Sequence, residues 1–188
     1  MAITNRDILG ALASYLERYP DEAALLSEPV RLLSRGGDFA SRRSFPMHVT
    51  AGALLVRSTE ILLVEHRAYG IVLHTGHLEP ADATLAGAAE RELAEETGID
   101  PGTVSCASQV PAYIEYGKVP ARPEKDEPVH SHLDFGYAFT TADGDVGPIQ
   151  ESEVTGASWY PLAVAEGLVG HRIGRVVSPK PDRPAGPR

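Results

Sequence analysis

The chain has 188 residues, 43% of them hydrophobic, and a formal net charge of −9 with a pI near 5.2. That is one domain's worth of chain with room for a small appendage. The acidic balance argues against broad, sequence-independent nucleic-acid binding, which needs a basic face. It leaves room for a phosphorylated small molecule, because bound metal ions invert local charge. Cys106 is the sole cysteine, which excludes a disulfide framework and a cysteine zinc site; it reads as a buried or partly buried thiol. No basic stretch followed by an apolar run opens the chain, and no apolar stretch approaches the length of a membrane span. The expectation is a soluble cytoplasmic protein that makes no membrane contact.

Three parts are expected: a helical extension over residues 1–45, a main domain over 46–178 and a disordered tail over 179–188, rich in Pro and charge. In the extension, Thr4 followed by Asp7 predicts a capped helix start, and Ile8, Leu9, Leu12, Tyr15 and Leu16 recur at helical spacing. Pro20-Asp21 begins a second helix with Ala24, Leu25, Val30, Leu32 and Leu33 as its apolar set, and Gly36-Gly37 ends it. These helices pack on the main domain or build a homodimer contact.

From Met47 the pattern changes to strands. Val49–Val56 and Ile61–Val64 read as a hairpin, and Ile71–Leu73 as a short strand feeding a Gly76 loop. A helix is predicted from about Ala83 to Thr97, with Asp82 as its cap and Leu85, Ala88, Ala89 and Leu93 as its buried face. Val104–Tyr116 gives one or two strands, Lys118–Pro128 a loop, and His130–Phe139 a half-buried strand. Val154 and Ala157–Tyr160 give another strand, and Leu162–Val177 a final helix. Periodicity alone gives a mixed α/β domain.

The segment from Gly76 to Ile99 reads GHLEPADATLAGAAERELAEETGI. It places Glu92, Glu95 and Glu96 three and four apart, on one helical face. Three carboxylates crowded together repel, and a divalent cation makes the arrangement favourable; oxygen ligands suit Mg2+ or Mn2+. A solvated Glu-rich face, with Arg91 pairing Glu95 at i+4, is the alternative.

The segment resembles the Nudix box of the Nudix hydrolase superfamily, which runs Gly, Glu, then Arg-Glu-aliphatic-x-Glu-Glu-x-Gly-aliphatic. The second half matches at Arg91, Glu92, Leu93, Glu95, Glu96, Gly98 and Ile99. The first half departs: one extra loop residue aligns Gly76 and puts Asp82 where the family has Glu. The resemblance implies a Nudix-like α/β/α sandwich with a mixed sheet. It also implies water attack on a diphosphate in a nucleoside diphosphate-linked substrate. Glu92, Glu95, Glu96 and the Gly76 carbonyl would hold Mg2+ or Mn2+. Glu92, Glu95 and Glu96 would also carry catalysis, with the base unassigned among them. Arg91 would orient a neighbouring Glu, and Glu79 would lock the loop by pairing with Arg91. Asp82 would hold a metal-bound water or cap the helix; the cap is the expected role.

Beyond the box, His130, His132 and Asp134 alternate and share one strand face. Two readings stay open: a cleft face touching phosphate, a base or a second metal, or a polar face satisfied by hydrogen bonds or water. Gly76, His77, His130 and His132 are the expected substrate-binding residues. Glu127, Glu151 and Glu153 are candidates for a further glutamate outside the box, and Tyr69, Tyr113 and Tyr116 for base stacking. The markers of coenzyme A, NADH and ADP-ribose branches are absent; Ile114 stands where the last would place Pro. Two other classes are a nucleotide-sensing module that does not cleave and a Nudix-fold isoprenoid diphosphate isomerase. The position of Cys106 after the box counts against the isomerase.

Overall fold

The computed structural model describes residues 2–67, 70–142, 144–149 and 154–176. Its N-terminal helix α1 spans Asn5–Arg18 and α2 spans Ser27–Ser34, with a 3-10 turn at Pro20–Glu22 between them. Thr4 and Asp7 form the reciprocal cap that the sequence suggests: the Asp7 amide donates to the Thr4 hydroxyl and the Thr4 amide to the Asp7 carboxylate. The strands are β1 (Met47–Arg57), β2 (Glu60–His66), β3 (Gly70–Val72), β4 (Gly76–His77), β5 (Val104–Cys106), β6 (Tyr113–Val119), β7 (His130–Thr141) and β8 (Val154–Pro161). Helix α3 (Leu85–Thr97) lies between β4 and β5, and α4 (Leu162–Val169) follows β8.

These strands make one mixed sheet with the path β3-β2-β1-β7-β5, and β4, β6 and β8 pair with β1, β7 and β2 respectively. The spine is the parallel pair β1 and β7, in register from Met47 opposite Ser131 to Val56 opposite Thr140. Side chains alternate across a strand, so β1 feeds two layers. Met47, Val49, Ala51, Ala53 and Leu55 join Leu85, Ala88, Ala89 and Leu93 of α3 and Ile8, Leu12 and Tyr15 of α1 in one core. Leu54 and Val56 join Ala165 of α4 and Ile173 in a second core on the other face. Helices on both faces of a mixed sheet make the α/β/α sandwich. No helix among the described residues is long and apolar enough to cross a membrane.

The first 45 residues share the main core rather than standing apart from it: Ile3, Ile8, Leu12, Tyr15, Tyr19, Leu26, Leu33 and Phe39 are buried in it. Arg175, near the end of the described chain, donates to the Tyr15 hydroxyl at 2.8 Å, pairs with Glu22 and lies over the Tyr19 ring at 4.2 Å. The buried Tyr15 hydroxyl in turn donates to Glu22 at 2.6 Å.

Several boundaries differ from the sequence expectation. The helix expected over Leu162–Val177 stops at Val169, where Gly170 takes φ 96°, and a 3-10 turn, His171–Val176, continues. The two-residue strand β4 was not expected. Cys106 is exposed rather than buried, because it sits on the short strand β5 at the end of the sheet path. The tail over 179–188, Tyr69, Glu151 and Glu153 lie outside the described residues.

Gly52 is demanded by close packing. A Cβ on Gly52 of β1 would run into the His74 carbonyl and come within 2.7 Å of the Thr75 methyl. The obstacle is backbone and cannot swing away. Gly52→Ala is expected to destabilise the fold by about 1–3 kcal/mol, the range for overpacking. An unchanged urea-unfolding midpoint would contradict this.

Candidate active site

Helix α3 begins where Thr84, in extended conformation, accepts a hydrogen bond from the Gly87 amide at 3.0 Å. It ends at Gly98, whose φ of 65° is left-handed and whose amide reaches the Ala94 carbonyl. The cap is therefore Thr84, not Asp82. The loop before it curls so that the Glu79 amide donates to the Asp82 carboxylate at 2.7 Å and the Asp82 amide to the Glu79 carbonyl at 3.0 Å. That turn aims Asp82 at the helix.

Arg91 is the hub. Its Nε and Nη2 grip the two Asp82 oxygens at 3.0 and 2.9 Å, a bidentate pair. Nη2 also donates to the His77 carbonyl at 3.0 Å, and Nη1 meets Glu95 at 2.9 Å and Glu92 at 3.1 Å. The partner expected from the box pattern was Glu79. Glu79 is exposed, and Asp82, one turn nearer, takes the guanidinium. Burial acts to raise the Asp82 pKa, but the bonds from Arg91 and the Glu79 amide outweigh it and hold the carboxyl below its ordinary value.

The three box glutamates have different surroundings. Glu95 is exposed and tied to Arg91. Glu92 lies against Gly76, where a Cβ would overlap its carboxylate. Burial raises its pKa, with Arg91 opposing. Glu96 is buried, and its carboxylate meets Nδ1 of the buried His74 at 2.7 Å.

Behind this helix face stands a group of imidazoles. Gly76 and His77 are consecutive on β4, so the glycine faces Glu92 while His77 points to the opposite side of the sheet. There the His77 ring lies 5.2 Å from His48 and 5.7 Å from His132. His48 of β1 sits opposite His132 of β7, their rings 4.5 Å apart, and stacks on His130 at 4.8 Å. Burial first, then neighbouring imidazoles, pushes the pKa of His48 down to about 4 and that of His132 to about 3. Both rings are neutral near pH 7.

The same face carries Asp134, which accepts from the Thr50 hydroxyl at 3.0 Å and the Tyr113 hydroxyl at 3.1 Å. Burial pushes its pKa up to about 6, and the two hydroxyls offset this only in part. Between the ordinary carboxylate value near 4 and about 6, the folded chain holds a proton that the unfolded chain has released. Stability therefore falls as pH rises through that window. Asp134→Asn resembles the protonated acid, with one accepting oxygen and one donating amide facing the Thr50 and Tyr113 hydroxyls, and is expected to abolish this slope. Melting curves at about pH 7.5 should show the variant at least as stable as the native protein, with the two converging near pH 4. A variant equally destabilised at both pH values would refute the assignment.

Other sequence candidates are placed differently. Glu127 is buried but held by Arg42 at 3.1 Å. Tyr113 is buried with its hydroxyl on Asp134, so its ring offers no stacking surface. The His74–Glu96 pair and the inclusion of His48 among the histidines were not foreseen.

The site thus belongs to an α/β/α sandwich in which a glycine loop and a glutamate-bearing helix gather around one arginine. A model of the NUDIX domain matches residues 46–177, and the chain belongs to that family. No curated protein matches the sequence. Among solved structures, the E. coli dihydroneopterin triphosphate pyrophosphohydrolase is similar at 16% identity and a TM-score of 0.55, over 69% of this chain and 95% of that one. A hydrolase of the NUDIX family from Clostridium perfringens is similar at 20% identity and a TM-score of 0.53, over 70% of this chain and 94% of that one. At these identities the likeness establishes the fold.

Proposed function

We propose that the protein is a divalent-metal-dependent Nudix pyrophosphohydrolase that cleaves the diphosphate of a nucleoside diphosphate-linked small molecule. The observation that carries this reading is the Arg91 hub. It fixes Asp82, Glu92, Glu95 and the His77 carbonyl around one guanidinium while Glu92 rests against Gly76. A surface ion-pair ladder would not need the glycine, the bidentate acid or the partly buried carboxylate.

The donor set fits Mg2+ or Mn2+: carboxylate oxygens of Glu92, Glu95 and Glu96 and the Gly76 carbonyl are hard ligands. Such an ion supplies charge neutralisation on the phosphate oxygens and a more acidic attacking water. The rest falls to the chain. Gly76 keeps the loop close to Glu92, and any side chain at 76 would displace that carboxylate. Arg91 positions Glu92 and Glu95. Glu92, whose proton affinity burial raises, is suited to accept the proton of the attacking water. His74 orients Glu96. The Gly76 backbone forms the substrate side next to Glu92, while His77, His130 and His132 lie on the opposite face of the sheet.

The isomerase alternative loses ground, since Cys106 pairs opposite Phe139, towards the end of β7 remote from His130. The test is a hydrolysis screen with Mg2+ or Mn2+ against nucleoside triphosphates, dinucleoside polyphosphates, ADP-ribose and nucleotide sugars. Cleavage that disappears in Glu95→Gln and Glu96→Gln supports the reading. Silence, with ligand-induced shifts in melting temperature, would replace it with a nucleotide sensor.

A further inference from the structure

We propose that His48, His130 and His132 form a tri-histidine site for a zinc-class divalent transition metal, distinct from the oxygen-donor face of α3. The proposal stands on ring geometry and does not depend on the hydrolase reading.

One potential ligand atom from each of the three lies within 4.8 Å of the others. Nε2 of His130 and Nε2 of His132 are 3.2 Å apart. With metal–nitrogen bonds of about 2.0–2.1 Å, two ligands of a tetrahedral ion stand about 3.3 Å apart. The outer nitrogens of two of the rings are already committed. Nδ1 of His130 meets the Pro128 carbonyl at 2.7 Å and Nδ1 of His48 the Ser44 carbonyl at 3.4 Å. A backbone carbonyl on Nδ1 fixes the proton there and leaves the Nε2 lone pair free to bind, the usual outer support of a metal-bound imidazole.

A hydrogen bond between His130 and His132 accounts for their own contact but not for His48. His48 is fully buried, and its Nε2 has no hydrogen-bond partner. A buried, unpaired polar atom is unfavourable, and a metal shared with the other two rings would satisfy it. The soft-to-borderline nitrogen set selects zinc, cobalt, nickel or copper over magnesium. Three protein ligands leave a position for water or an anionic oxygen, on the face that His77 borders.

The test uses untagged full-length protein in a Cys106→Ser background, stripped with chelator and titrated with Co2+ and then Zn2+. One equivalent per chain is expected, with the visible absorption of a low-coordinate nitrogen site. Glu92→Gln/Glu96→Gln should retain it, which separates this site from the glutamate helix. His132→Gln, with circular dichroism as the fold check, should weaken it at least about tenfold. Binding that survives His132→Gln and His130→Ala, or that vanishes only in the glutamate variant, would overturn the proposal. Should the histidine variants fail to fold, zinc-edge X-ray absorption on the native protein decides. Three imidazole nitrogens support the site, and an all-oxygen shell overturns it.

Discussion

Glu96→Gln is expected to lower metal-dependent turnover by about a hundredfold to ten-thousandfold while leaving the fold intact. The argument has two halves. Glu96 contributes a negative oxygen to the face proposed to hold the ion, and metal stabilisation of transition-state charge is worth several kcal/mol, each 1.36 kcal/mol being about tenfold in rate. Glutamine keeps the shape and an amide oxygen that still accepts from Nδ1 of His74, the 2.7 Å contact that orients the side chain. The buried environment is thus preserved and only the charge goes. Steady-state rates with Mg2+ and Mn2+, beside a melting curve, separate the two halves. Activity within a factor of about two of native, at unchanged melting temperature, would remove Glu96 from the site.

Arg91→Ala should do what Glu96→Gln does not, and destabilise the fold. Asp82 is buried and receives two of the Arg91 bonds. Removing the guanidinium strands that carboxylate, and breaking a buried pair typically costs about 3–5 kcal/mol. Partial solvent access to Arg91 places the expectation at the lower end, about 3 kcal/mol. The diagnostic is a double-mutant cycle. Asp82→Ala in the Arg91→Ala background should recover part of the loss, because the buried Asp82 carboxylate is no longer left unpaired. Strictly additive losses in denaturant would show that Arg91 acts through packing alone.

What the sequence disclosed and what it hid divide along the range of the interactions. Helix α3 was legible because its signals are local: the glutamate spacing, the small buried residues and Gly98 all act within a few turns. The capping box at Thr4 was legible for the same reason. Asp82 was misassigned because two suitable caps stand two residues apart; the Glu79–Asp82 turn, which decides between them, depends on Arg91 nine residues on. The alternation of His130, His132 and Asp134 was visible, but the closeness of His48 was not. It follows from the parallel pairing of β1 with β7, which brings His48 opposite His132 across more than eighty residues. The same pairing brings the Thr50 hydroxyl to Asp134. The overlong final helix missed the stop at Gly170 because the apolar pattern runs past it into Ile173.

The clasp of Arg175 on Tyr15, Tyr19 and Glu22 bears on how the molecule opens. Local unfolding generally starts at poorly anchored ends. Here helix α1 cannot lift without releasing the Arg175 guanidinium, and the His171–Val176 turn cannot peel without stripping the buried Tyr15 hydroxyl of a donor. Helix α1 and the His171–Val176 turn behave as a single latch. Amide hydrogens of α1 should therefore exchange with solvent at rates close to those of the sheet, rather than at the fast rates of a loose appendage.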